Sequence, residues 1–173
     1  RRLNGKLKHL RVWNDVRTEN EINQSITDST GITLINTAGI TQPNFNGTIS
    51  TSDFDFDGSN DYFEIPAAQA AKIANSDFTI EFWVKYSGTT EGIIYWQSQG
   101  DPTVAHCPNK IIQIWMRSDY LRMDFCGAAL NYANNSHNFN NWNHFAITYD
   151  DSATTSSQAG KIYINGILQS TSN

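Results

Sequence analysis

The run Phe78-Thr79-Ile80-Glu81-Phe82-Trp83-Val84-Lys85-Tyr86 puts an aromatic or branched apolar side chain at every second position for nine residues. A period of two is the signature of a strand with one face on a core, and a helix cannot sort those residues in that way. Shorter runs of the same kind follow one another along the chain: Phe54–Asp57, Tyr62–Ile65, Gly92–Gln97, Lys110–Arg117, Tyr120–Phe125, Trp142–Tyr149 and Lys161–Ile164. Turn chemistry separates them. Gly58-Ser59-Asn60 is a turn, Pro66 stops a strand, and Asn165-Gly166 is a two-residue hairpin turn into Ile167-Leu168-Gln169. Short strands at a spacing of about 8–12 residues predict an all-β chain, a two-sheet antiparallel β-sandwich of the jelly-roll kind.

One short helix interrupts the pattern. Thr18-Glu19-Asn20-Glu21 is a capping box, in which the Thr hydroxyl and the Glu carboxylate each satisfy the other's backbone N–H. About two helical turns are expected, within residues 18–27. Residues 28–52 are rich in Thr, Gly, Asn and Ser, with apolar pulses at Ile32, Leu34, Ile35 and Ile40, and read as a linker or irregular edge. Residues 67–73 could add one helical turn.

A chain of 173 residues can bury one sizeable core. Charged residues are only 17%, which favours strands and turns over exposed helices. The net charge of −5 gives no basic footprint, so nucleic acid is not an expected partner. No apolar run reaches the ~20 residues that span a bilayer. Cys107 and Cys126 lie near the open end of the hairpin Lys110–Arg117/Tyr120–Phe125, where a cross-strand disulfide would contribute about 3 kcal/mol. The alternative is two buried free thiols. The disulfide suits the extracellular cast of the composition. Sequons at Asn23, Asn46 and Asn134 matter only in a glycosylating host. The first residues are neither a start methionine nor a leader, and a secreted parent is expected to carry its signal upstream.

Four blocks resemble the laminin-G-like, concanavalin-A-like and pentraxin-like jelly roll. They are Phe56-Asp57-Gly58-Ser59-Asn60-Asp61-Tyr62, then Phe78–Lys85, then Trp142–Asp150 with Lys161–Gly166, and finally Gly5–Ile22. The last of these, Gly-Lys-Leu-Lys-His-Leu-Arg-Val-Trp-Asn-Asp-Val-Arg-Thr-Glu-Asn-Glu-Ile, resembles the segment that closes such domains, yet it comes first here. Two arrangements explain that order. The domain is circularly permuted, or the chain is a window on a tandem array whose preceding copy ends in residues 1–27; the array is the favoured arrangement. The chain then divides into a closing strand and helix (1–27), a linker (28–52) and the jelly roll (53–173).

The resemblance implies calcium at the jelly-roll rim, and the acidic turn supplies candidate ligands in Asp55, Asp57, Asn60 and Asp61, with Asp53 on the same strand face. A solvated turn whose Asp side chains cap backbone N–H groups is the plainer alternative. A sugar site needs an aromatic platform flanked by amides and charges. Tyr95, Trp96 and Gln97 with Gln99, Trp115 and Arg117 could form it; Trp96 and Trp115 could equally be core. Trp13, Trp83 and Trp142 are expected in the core. His9, His106, His137 and His144 share no spacing for a metal or a triad. Glu64, Glu81 and Glu91 are isolated, without the Glu-x-Asp-x-x-Glu pattern of jelly-roll glycosidases. The expected function is a non-enzymatic recognition or adhesion module, glycan-binding and calcium-stabilised. Its setting is a tandem-repeat protein of the cell surface or extracellular space, with a glycan or matrix ligand and neighbouring repeats as partners. The alternatives are a fibre, filament or virion-decoration repeat without a ligand, and a jelly-roll carbohydrate-active enzyme.

Overall fold

The structure, a computed structural model, describes residues 3–13, 15–27, 35–36, 44–45, 48–49, 53–64, 77–98, 111–125, 128–133, 137–153 and 159–172. The expected helical turn at 67–73, both cysteines, Gln99, His106, Asn46 and Asn134 lie outside them.

In chain order the elements are β1 (Asn4–Trp13), α1 (Glu19–Thr27), β2 (Ile35–Asn36), β3 (Asn44–Phe45), β4 (Thr48–Ile49), β5 (Phe54–Asp57), β6 (Phe63–Glu64) and β7 (Phe78–Tyr86). They continue with β8 (Gly92–Ser98), β9 (Ile111–Arg117), β10 (Tyr120–Phe125), β11 (Ala128–Ala133), β12 (Asn143–Tyr149), β13 (Gly160–Ile164) and β14 (Ile167–Leu168). Among the described residues these make a large sheet, β14-β13-β12-β7-β1-β5-β4 with β2 parallel to β1, and a four-stranded sheet, β11-β10-β9-β8. A small β3–β6 pair stands apart. The fold is the expected all-β antiparallel sandwich with one short helix.

The expected strands are where the alternation put them. β11 was not expected, since Ala128-Ala129-Leu130-Asn131-Tyr132-Ala133 carries little β preference of its own, and the two-residue strands β2 to β4 fall in the span read as linker or irregular edge. For β11 its partner decides: β10 pairs with it residue for residue, from Tyr120↔Ala133 to Phe125↔Ala128. The Asn165-Gly166 turn has φ of 50° and 80°, both in the left-handed region of the two-residue hairpin turn.

The core lies between the sheets. Phe78, Ile80, Phe82 and Val84 of β7, with Phe145, Ile147, Ile162 and Ile164, meet Ile112, Ile114, Met116, Leu121 and Met123 of the other sheet. Phe125 joins the layers, with its ring centroid 5.6 Å from Phe78 and 4.0 Å from Tyr149.

β1 is a central strand of the large sheet. It pairs antiparallel with β5 (Lys6↔Asp55) on one side and with β7 (Lys6↔Lys85) on the other. The N-terminal strand is thus built into the same sandwich as β5 to β14. Gly5 permits the close approach: it has φ of 146°, and a Cβ there would strike the Lys85 carbonyl oxygen. The loose alternation of β1 has a structural cause. His9 has φ of 52°, and the register with β7 shifts between Lys8 and Arg11. This bulge sends both Leu7 and Leu10 into the core and turns Arg11 to the outer face.

Helix α1 lies across that outer face, with Ile22 clustered against Ala146 and Tyr163. Its capping box is formed: Thr18 N donates to Glu21 Oε2 (2.8 Å), and Glu21 N donates to Thr18 Oγ1 (3.4 Å). The Thr18 bonds hold the Glu21 carboxyl below its ordinary range. The cap is therefore complete at neutral pH and is lost only on acidification through that lowered value. A buried ionic cluster lies beneath the helix. Glu81, 1% exposed, is 3.2 Å from Arg17 Nε and 3.4 Å from His144 Nε2, and Arg11 is its register partner on β1. The Arg17 contact is not aligned as a hydrogen bond, so the attraction is coulombic. Arg11 Nη1 donates to the Ser25 carbonyl at 3.2 Å and ties the helix to the strand.

Leu7 is 1% exposed, so Leu7→Ala should lower the unfolding free energy by about 2–5 kcal/mol in urea titration. A loss under about 1 kcal/mol would show β1 to be peripheral. Arg17→Met leaves the Glu81 carboxylate short of a partner and should cost about 3 kcal/mol by the same measurement.

Candidate functional site

The four-stranded sheet turns one face to the core and one outward. Ile114, Met116, Leu121 and Met123 are inward, so alternation places Gln113, Trp115, Arg117, Arg122 and Asp124 outward. Register then builds the outer face row by row. Ile93, Trp115, Arg122 and Asn131 stand in one row, and Trp96, Gln113, Asp124 and Ala129 in the next.

Trp96 is 59% exposed, a large ring left in water on a regular strand. Trp115, half-buried, stands diagonally across from it and donates its indole N–H to Gln113 Oε1 at 3.0 Å. Arg122 Nε lies 2.8 Å from Asp124 Oδ1, with the arginine side chain 45% exposed. Arg117 is gripped by Asp119 in the β9–β10 turn, Nη2 to Oδ2 at 2.7 Å, and stacks on Tyr120 at 4.6 Å. That contact holds the Asp119 carboxyl below the usual range. The face therefore offers an exposed indole, a second indole fixed by an amide, and an ion pair held at set positions.

Of the sequence candidates, Trp96, Trp115 and Arg117 share this face. Tyr95 does not: it is 8% exposed within the core, and burial pushes its phenol pKa up. A bulge between Ile93 and Tyr95 keeps Trp96 outward while Tyr95 turns inward. The Gln97 side chain lies outside the described residues. Gln113, Arg122, Asp124 and Asn131 were missed. Alternation within β9 and β10 put the first three on one face with Trp115, but only the pairing of the strands puts that face beside Trp96.

The acidic turn forms a closed set of contacts. Lys6 Nζ stands 3.0 Å from Asp53 Oδ1 and 3.4 Å from Asp55 Oδ2. Those carboxylates raise the lysine pKa, the Asp53 hydrogen bond most of all. Asp57 Oδ1 accepts from Ser59 N at 2.6 Å, and Asp61 Oδ2 accepts from Asp57 N at 3.0 Å. Asn60 is exposed at the tip. Among the described residues no three His, Cys, Asp or Glu side chains gather as a metal-holding group.

Trp13, Trp83 and Trp142, expected in the core, are half-buried on the outer face of the large sheet. Trp83 and Trp13 occupy outward positions of β7 and β1, and Trp142 precedes β12. Glu81 is enclosed with Arg17 and His144. No helix among the described residues is long and apolar enough to cross a membrane.

Comparison with curated proteins and with solved structures returned no match. A family model, that of the concanavalin A-like lectin/glucanases superfamily, matches residues 57–173. That span holds β7 to β14, including the whole four-stranded sheet with its exposed tryptophan. The chain belongs to the concanavalin A-like lectin/glucanases superfamily, which points to a carbohydrate-binding or structural module.

Proposed function

We propose that the chain is a non-enzymatic glycan-recognition module of a secreted or cell-surface protein, and that sugar docks on the outer face of the four-stranded sheet. The exposed Trp96 beside Trp115 carries this reading. An indole left in water costs hydration free energy, and the C–H face of a pyranose is a flat apolar partner for it. Gln113 and the Arg122–Asp124 pair supply donors and acceptors whose spacing the sheet register fixes, as hydroxyl recognition needs. Support for a non-enzymatic role comes from the carboxylates: Asp124 is paired with Arg122 on this face, while Glu81 is buried with two basic partners.

A second reading, a structural repeat packed against neighbouring repeats, is favoured by Ile167 and Leu168. They are 65% and 51% exposed on the edge strand β14. Adhesion follows from either reading when copies are arrayed.

A glycan array separates the two. The intact chain should bind a restricted set of glycans. Trp96→Ala should weaken the best of them about tenfold or more, with an unchanged melting temperature because the ring packs little. An array without binding to neutral glycans, or neutral-glycan binding indifferent to Trp96→Ala, rejects the Trp96 strip and favours the structural repeat. Calcium is tested separately, by melting in calcium and in EGTA. With Asp55, Asp57 and Asp61 already partnered, the two curves should coincide to about 1 °C. A rise of several degrees in calcium assigns the ion to this rim.

A further inference from the structure

The outer face of the large sheet continues past helix α1, and its register sets out a second aromatic surface of different charge. His144, Trp83 and Lys8 form one row across β12, β7 and β1. Lys85 and Lys6 stand opposite each other in the next row, with Trp142 adjoining β12 at the same end. Lys8 Nζ lies 5.4 Å from the Trp83 ring centroid and 4.6 Å from that of Trp142, within reach of both indole faces. His144, the register partner of Trp83, makes an edge contact with its ring at 5.5 Å and is only 2% exposed, so it braces the indole from the side.

The lysines here are not equivalent. Lys6 is neutralised by Asp53 and Asp55. Neither Lys8 nor Lys85 has a carboxylate within ion-pair distance among the described residues. Two ammonium groups without a carboxylate partner among the described residues stand out on a chain of net charge −5, with the nearby Asp53 and Asp55 engaged by Lys6. Half-buried indoles beside them give a flat apolar floor. An anionic sugar ring matches that pairing, with its acid group on the ammonium and its C–H face on the indole. An extended nucleic acid matches it poorly, because two free cations neutralise few phosphates and the rest of the chain repels them.

We infer that Lys8 and Lys85, with Trp83 and Trp142, form a second binding site, for acidic polysaccharide bearing carboxylate or sulfate groups. It is separate from the neutral strip around Trp96 and stands whether or not that strip binds sugar.

Affinity electrophoresis of the intact chain in gels containing heparin, polygalacturonate or dextran tests this, with a DNA oligonucleotide as competitor. At least one of the two acidic polysaccharides should retard the chain, heparin alone indicating sulfate and polygalacturonate alone carboxylate. The variant Lys8→Gln/Lys85→Gln should weaken that retardation about tenfold. Lys8→Arg/Lys85→Arg, which keeps the charge, and Trp96→Ala should both retain it. The inference is overturned if neither acidic polysaccharide binds, if the Gln variant binds as tightly as the parent, or if DNA competes as well as the polysaccharide does.

Discussion

The fold depends on one strand being held on both edges. β1 exchanges ladder hydrogen bonds with β5 and with β7, and without it the large sheet would be parted at its middle. A central strand must satisfy two ladders and two faces at once, so its register is tightly specified. The bulge at His9 meets the conflict, placing Leu7 and Leu10 in the core and setting Arg11 beside Glu81. That placement seats α1, because Arg11 reaches the Ser25 carbonyl and Arg17 reaches Glu81. Strand and helix therefore dock as a unit, β1 by apolar contact with the core on one face of the sheet and α1 by apolar and ionic contact on the other.

This unit precedes the residues matched by the family model, which begin at Asp57, yet it occupies the middle of the large sheet. Its ladders to β5 and β7 make it part of the same sandwich as the residues the family model matches.

Local chemistry and the short hairpins were legible, and long-range pairing was not. The alternation of Phe78–Tyr86, the Thr18–Glu21 box and the Asn165-Gly166 turn act over a few residues, and each appears as read. β11 was invisible because its residues are weak strand formers held by a neighbour. The tryptophans misled for a related reason. Trp83 lies out of step with Phe82 and Val84, which alternation alone assigns to the outer face, but a large aromatic invites a core assignment. The partner of Asp53 and Asp55 is Lys6, about fifty residues away, and only the β1–β5 register brings them together. The outer strip of the four-stranded sheet was half legible for the same reason: Trp96 and Trp115 stood out as residue types, while Gln113, Arg122 and Asp124 gained meaning only once β8, β9 and β10 were aligned.

The acidic residues and the tryptophans divide the work of this protein. Asp53 and Asp55 neutralise Lys6, Asp57 and Asp61 cap backbone N–H groups, Glu81 sits with Arg17 and His144, and Asp119 and Asp124 hold arginines. Asp150 accepts from Ser152 N and Oγ, which lowers its pKa. These carboxylates orient turns, a helix and surface cations, so the negative balance of the chain is largely built into its architecture. The indoles are differently placed. Trp96 stands in water on one sheet, and Trp83 and Trp142 flank an ammonium on the other. A two-layer sandwich has two outer faces, and here each carries aromatic surface that the core does not use. The faces differ in the charge beside the rings, a balanced Arg122–Asp124 pair on one and, on the other, Lys8 and Lys85 with no carboxylate partner among the described residues. The two proposed sites rest on that difference in charge beside otherwise similar aromatic surface.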